Sequence, residues 1–97
     1  MRIIYRLEDS DGNGPFFYRD GTNRTNPKIH FEGFGLYAFT DPARFKEPNY
    51  AQFLNDTNFH LYRIVVKCLL FEWKSGQVLF DESDIIYKTE VVDKCMQ

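Results

Sequence analysis

The clearest pattern of apolar and polar residues lies in the second half of the chain. A long β-branched and aromatic run covers residues 59–73, and a break at residues 74–76 separates it from a second run at residues 77–80. Four polar residues at 81–84 precede a third run at residues 85–92. Apolar runs bounded by Gly, Asp and Ser are typical of strands. The pattern predicts three consecutive strands that form a meander.

The first half of the chain predicts two more strands. Residues 2–7 alternate Ile3, Tyr5 and Leu7 with Ile4 on the other face, which favours a strand. Residues 9–15 combine Asp, Asn, Gly and Pro and predict a turn. Residues 36–39 predict a second short strand, whose flanking glycines permit close approach of neighbouring chain segments.

Residues 40–54 predict one or two short helices. Thr40 or Asp41 is suited to cap a helix, and Pro42 is suited to its first position. Pro48 ends or restarts the helix. Beyond it, an apolar stripe at i, i+3 and i+4 predicts two helical turns, formed by Tyr50, Phe53 and Leu54.

These elements predict an α+β fold in a single domain over residues 1–97, with a mostly antiparallel sheet and one or two short helices. Both faces of residues 64–70 are apolar, so the long strand is expected at the centre of the sheet and covered on both sides.

Composition adds a prediction about the surface. Aromatic residues make up 18% of the 97 residues, and ten are Phe. This exceeds what a small core needs, so some rings are expected at a contact surface, with Phe16, Phe17, Tyr18 and Phe34 as the candidates.

The net charge of −2 disfavours direct binding of nucleic acid, which needs cationic side chains to neutralise phosphates. A local group of Arg19, Arg24 and Lys28 keeps that possibility open. No apolar run has the length of a membrane span, and no export signal is recognisable at the start of the chain. The protein is therefore expected in the cytoplasm with reduced cysteines.

One segment matches a metal-binding pattern. Residues 9–20 place oxygen ligands at positions one, three and five, Gly at six and an acid at twelve, as calcium loops do. The flanking segments predict strand and loop in place of two helices, and Asp20 replaces the usual Glu. An ordinary acidic turn is the preferred interpretation, and calcium binding is the alternative.

Other candidate groups carry little chemistry. His30 and His60 have no metal-ligand spacing, and Cys68 in mid-strand is more typical of an inert apolar group than of a nucleophile. The acidic residues Asp81, Glu82 and Asp84 favour a solvated turn. They also offer a negative surface that could mimic a phosphate-rich ligand.

Two resemblances bear on function. Residues 5–9, followed by Gly12 and the Gly14-Pro15 pair, resemble the start of small phage-encoded accessory proteins. Residues 33–41, 61–66 and 81–86 look like the strand succession of ADP-ribosyltransferase-like proteins, and an anti-CRISPR family with that fold shows a similar progression.

The second resemblance implies roles for three residues. Arg6 would hold the phosphates or ribose of NAD, Tyr37 would stack on nicotinamide, and Glu90 would stabilise the oxocarbenium-like transition state. The helical segment that usually lies between the first two strands is replaced here by a polar loop, which favours a fold relative without catalysis.

The sequence thus leads to two functional hypotheses. The first is a non-catalytic inhibitor without a cofactor or metal, encoded by a phage or mobile element. It would bind a host protein complex such as a CRISPR-Cas effector through the four ring residues named above and through Asp81, Glu82 and Asp84. The alternative is an NAD-dependent mono-ADP-ribosyltransferase that uses Arg6, Tyr37 and Glu90 on a host protein.

Overall fold

A computed structural model describes residues 1–12, 14–15 and 35–92. Its six strands are β1 (Arg2–Glu8), β2 (Leu36–Phe39), β3 (His60–Val66), β4 (Phe71–Glu72), β5 (Gln77–Phe80) and β6 (Ile85–Glu90). One α-helix, α1 (Pro48–Leu54), lies between two 3₁₀ helices, Pro42–Lys46 and Glu82–Asp84. A small compact domain dominated by its sheet is the result.

The described strands form one antiparallel sheet in the order β4-β5-β2-β1-β3-β6. The prediction of a mostly antiparallel sheet is therefore confirmed. Because a seven-residue helix is the only α-helix in the described part of the chain, the α+β class is supported only loosely.

The predicted C-terminal meander is confirmed for its first hairpin, because residues 71–72 of the long run pair with residues 78–79, and it is wrong for the third strand. β5 pairs with β2 and β4, whereas β6 pairs with β3 at the other edge of the sheet. The residues that connect β3 to β4 and β5 to β6 therefore carry the chain from one side of the sheet to the other. Hydrophobic runs predict strands but do not determine which strands become neighbours.

The long predicted strand over residues 59–73 is divided. Regular pairing ends at Val66; then the amide of Lys67 donates to the carbonyl of Asp84, and that of Leu70 donates to Leu79. The hydrogen-bond acceptor of this segment thus changes from Asp84, which precedes β6, to Leu79 on β5. β3 is an interior strand, but the prediction that residues 64–70 are covered on both sides is wrong beyond Val66, since Cys68 and Leu70 are exposed.

The helical predictions for residues 40–54 are confirmed in detail. The Asp41 carboxylate accepts the amide of Ala43 at 2.9 Å, and Pro42 begins the first 3₁₀ helix. Pro48 begins α1. The fixed φ of proline and its missing N–H suit the first position of a helix, which explains both starts.

Two hydrophobic clusters lie on opposite faces of the sheet. On the helix face, α1 and the first 3₁₀ helix cover β-strand side chains, and the cluster comprises Leu7, Tyr37, Phe39, Phe45, Leu54, Leu61 and Leu79. The opposite face, here the ion-pair face, carries Ile4, Ala38, Ile64, Val66, Val78 and Phe80. Alternation of side chains along each strand produces this division.

The sheet curls toward the ion-pair face. Arg2 on β1 and Glu72 on β4 are three strand positions apart, yet their side chains form a two-pronged ion pair with N···O distances of 2.8 Å. Leu69, in the connection from β3 to β4, and Ile85, the first residue of β6, pack against the cluster on this face. Gly35 fits at the start of β2 because a Cβ there would overlap the buried side chain of Leu79.

Candidate functional surface

The acidic bend, defined as residues 81–84, is an ordered structure and not a loose turn. Asp81 caps the short 3₁₀ helix, because its Oδ1 accepts the amide and the hydroxyl of Ser83, each at 2.9 Å. These hydrogen bonds favour the charged carboxylate and lower the pKa of Asp81. Glu82 is exposed beside it. The sequence prediction of a bend at these residues is confirmed.

Acidification is expected to loosen this bend. Because the pKa of Asp81 is lower in the folded chain than its ordinary value of 3.8, the charged cap stabilises the bend above that value and the stabilisation is lost as pH falls through the folded pKa. A ¹³C carboxyl NMR titration should show that Ser83→Ala raises the pKa of Asp81. Ser75→Ala, a remote serine change, serves as the control. An unchanged titration midpoint in Ser83→Ala would contradict the contribution of the Ser83 hydroxyl, since the backbone hydrogen bond at residue 83 remains in this variant.

The acidic bend lies beside the connection from β3 to β4. The amide of Lys67 donates to the Asp84 carbonyl at 2.9 Å, and the Cys68 thiol lies 3.6 Å from the Asp84 carboxylate. That negative charge, more than burial, raises the pKa of Cys68 and keeps the thiol protonated. A protonated thiol is a poor nucleophile. The expectation that Cys68 lies in mid-strand as an apolar group is wrong, because the residue follows the end of β3 and is exposed.

The same connection leads to exposed apolar side chains. Leu70 is 37% exposed and Phe71, on edge strand β4, is 47% exposed. The Phe71 ring lies 4.6 Å from the Trp73 ring, which lies 6.0 Å from the buried Tyr37 ring. This stack holds Phe71 in place at the edge of the sheet. We call Leu70, Phe71 and the acidic bend together the edge surface; the Phe71 side chain lies on the helix face, because Phe71 pairs with Leu79, whereas the acidic bend belongs to the connection from β5 to β6.

Sequence reasoning missed Phe71 as a surface residue, because it assigned the residue to the interior of one long strand. A signal was available. Strands of globular proteins usually have three to about ten residues, so an apolar run over residues 59–73 is too long for one strand. A break within it could have been predicted from length alone.

The four ring residues predicted for partner binding, Phe16, Phe17, Tyr18 and Phe34, lie outside the described residues. The same holds for much of the calcium-like segment. In its described part, Asp9 accepts the amide of Asp11, and Gly12 adopts a φ of 85°. Among the described residues, no three His, Cys, Asp or Glu side chains converge as metal ligands.

Arg6 is a buried structural residue. Its side chain is 1% exposed and its Nε donates to Glu8 at 2.8 Å. Its two terminal nitrogens donate to the carbonyls of Tyr37 and Gly12 at 2.7 and 3.4 Å. Glu8 also forms an ion pair with Lys88, so two cations surround one buried carboxylate.

Of the other two residues of the transferase alternative, the Tyr37 side chain lies on the opposite face of the sheet from Arg6, and Glu90 lies on the same face. Tyr37 is buried in the cluster on the helix face, whereas Arg6 lies on the ion-pair face. Glu90 lies on the Arg6 side, because both residues pair with Tyr62, and its carboxylate lies 3.0 Å from Nδ1 of His60. Burial, aided by the charges of Glu90 and Glu8, raises the pKa of Tyr62.

Two of these three residues, Arg6 and Tyr37, are buried, whereas the resemblance implies that they contact NAD. A guanidinium that binds phosphates must have donors directed at the ligand, whereas three of the five N–H donors of Arg6 bind internal acceptors. A tyrosine that stacks on nicotinamide must expose a ring face, whereas Tyr37 is 8% exposed.

In the part of the chain that the structure describes, no helix has the length and apolar character needed to cross a bilayer. No protein-family model, curated protein or solved structure matches the chain significantly.

Proposed function

We propose that this protein is a non-catalytic binding protein, encoded by a phage or mobile element, that inhibits a host defence complex such as a CRISPR-Cas effector. It acts in the host cytoplasm and contacts a protein surface, not the nucleic acid itself. The proposal includes the α+β class, with the sheet as the scaffold for the contact. The edge surface is the observation that carries it.

The edge surface combines the two kinds of groups that such an interface needs. An exposed aromatic ring supported by a second ring is suited to fill a pocket, since aromatic residues supply much of the binding free energy of protein interfaces. Carboxylates at the rim steer a basic partner and favour it over acidic competitors. A protein surface that normally binds nucleic acid is basic, so the acidic bend is complementary to it.

The internal pairing of Arg6 also supports this proposal. A guanidinium held by Glu8 and by the carbonyls of Tyr37 and Gly12 contributes to the stability of the fold. Arg6 and Glu8 on the ion-pair face thus stabilise the fold, while the exposed ring and carboxylates of the edge surface are available for contact with a partner.

The direct test is inhibition of purified effectors. The protein is titrated into CRISPR-Cas effector complexes of several types, and binding and cleavage of target DNA are measured. We expect saturable inhibition of at least one type, weakened by Glu82→Lys and unchanged by Glu47→Lys, an equal charge change at α1. Absence of inhibition, or equal weakening by both variants, would contradict the proposal.

The transferase alternative is tested separately with labelled NAD and host lysate. The binding proposal expects no label on host proteins. Label transfer by the natural chain that is lost in Glu90→Gln would replace the binding proposal by the alternative.

A further inference from the structure

The pairing of β6 with β3 determines which of its backbone N–H and C=O groups point outward. In the described part of the chain β6 pairs with β3 and with no other strand. The amide of Val91 donates to the Leu61 carbonyl at 2.8 Å, so the backbone groups of Val91 and Thr89 point toward β3. The backbone groups of Lys88 and Glu90, between and beside them, therefore point outward.

Side chains along this edge are exposed and partly apolar. Tyr87 is 58% exposed, Ile86 is 50% exposed and Val92 is 98% exposed. A register shift between Val65 and Val66 leaves Ile86 as the extra residue of a bulge, so the regular edge begins at Tyr87. An exposed regular edge of this kind is a template for another strand.

We propose that two copies of this chain pair through β6 as antiparallel strands, with Thr89 of each copy on the two-fold axis. In this register Lys88 lies opposite Glu90 of the second copy, and Tyr87 lies opposite Val91. Both pairs occur twice by symmetry. Two-fold pairing centred on Lys88 or on Glu90 would place like charges directly opposite each other, which destabilises a sheet.

Existing ion pairs extend across this junction. Lys88 binds Glu8 and Glu90 binds His60 on the ion-pair face of each copy. The cross-strand contact joins them into an alternating series in which Glu8, Lys88, Glu90 and His60 follow one another. Each charged side chain of this series thus lies next to an oppositely charged residue or next to His60. This complementarity favours a second copy of the chain over an unrelated strand as the partner.

The helix face gains an apolar row in the same register. Ile3 pairs with Val65, and Val65 pairs with Tyr87, so these three side chains form a row across β1, β3 and β6. Val91 of the second copy continues that row toward its own Leu61. The half-exposed Ile3 and Tyr87 side chains lie in the extended row.

The dimer goes beyond the proposed function and does not depend on it. Because β6 has only six residues, we expect pairing through it to bury less than the roughly 1,200–2,000 Å² of a stable interface and to have a dissociation constant on the order of 10–100 μM. Sedimentation equilibrium between 5 and 500 μM should show the mass rising from 11.5 kDa toward twice that value. A mass that stays at 11.5 kDa throughout would overturn the proposal.

A cross-link tests the register. Cα atoms of a non-hydrogen-bonded antiparallel pair lie about 4.5 Å apart, within the range of a disulfide. In a Cys68→Ser, Cys95→Ser background, Thr89→Cys should therefore form a dimer under mild oxidation. Tyr87→Cys is the control, because its counterpart in the second copy lies about 13 Å away along the strand.

Charge reversal gives an independent readout. Glu90→Arg places a cation opposite Lys88 and should raise the dissociation constant at least tenfold, whereas Glu82→Arg at the acidic bend should leave it unchanged. Circular dichroism verifies that each variant is folded. Association without a Thr89→Cys cross-link, or with an equal Tyr87→Cys cross-link, would overturn this register and the proposal with it.

Discussion

Replacing Arg6 with methionine is expected to lower the free energy of unfolding by about 3–5 kcal/mol, because removal of one partner from a buried ion pair leaves groups without compensation. Arg6 is 1% exposed and holds Glu8 together with two backbone carbonyls. Methionine fills much of the volume but donates no hydrogen bond. Chemical denaturation followed by tryptophan fluorescence measures the loss.

The chain contains a matched control on the same strand. Arg2 also forms an ion pair at 2.8 Å, but its side chain is 42% exposed. Arg2→Met should therefore change stability little, since solvent screens and replaces an exposed pair. Double replacement of Arg6 and Glu8 by methionine should recover part of the loss, because no buried carboxylate remains. Equal effects of Arg6→Met and Arg2→Met would contradict the structural role of Arg6.

Replacing Phe71 with alanine is expected to weaken partner binding about 30- to 100-fold, as loss of an aromatic anchor does at protein interfaces. The ring is 47% exposed, so its loss should cost less than about 1 kcal/mol of stability. Binding measured by biolayer interferometry against an inhibited effector, together with thermal melting, separates the two effects.

Tyr87→Ala is the control for Phe71→Ala. Tyr87 is a ring of similar exposure on the opposite edge strand, so its loss should leave partner affinity within about twofold when the protein is kept below the concentration of self-association. Similar losses in both variants would indicate that the contact does not lie at the edge surface.

Local features of the fold could be predicted from the sequence. Asp41 with Pro42, and Pro48 six residues later, predict two helix starts because capping and the fixed φ of proline act within a few residues. Gly76, with a φ of 89°, marks the turn between β4 and β5 for a similarly local reason. These signals do not depend on the rest of the chain.

Strand order could not be predicted in this way. The end of β3 at Val66 depends on a carbonyl of Asp84 and one of Leu79, both distant in sequence, that accept the next amides. The neighbour of β6 is β3 and not β5 for the same reason. The hydrophobic pattern indicates which residues are buried, but several arrangements of paired strands would bury the same residues.

The candidate site was predictable only in part. Its acidic bend was recognisable because Asp and Ser favour capped turns, whereas the exposure of Phe71 depends on β4 being an edge strand. The Arg6–Glu8 pair left a readable signal, since opposite charges two residues apart in a strand lie on the same face. That signal favours a structural pair over a ligand-binding arginine.

Hydrogen-exchange footprinting of the protein bound to an effector that it inhibits tests the central claim most directly. The account predicts protection of backbone amides at residues 69–72 and 81–84 on binding, with little change along α1. Protection confined to other parts of the chain, with residues 69–72 and 81–84 exchanging as in the free protein, would contradict it.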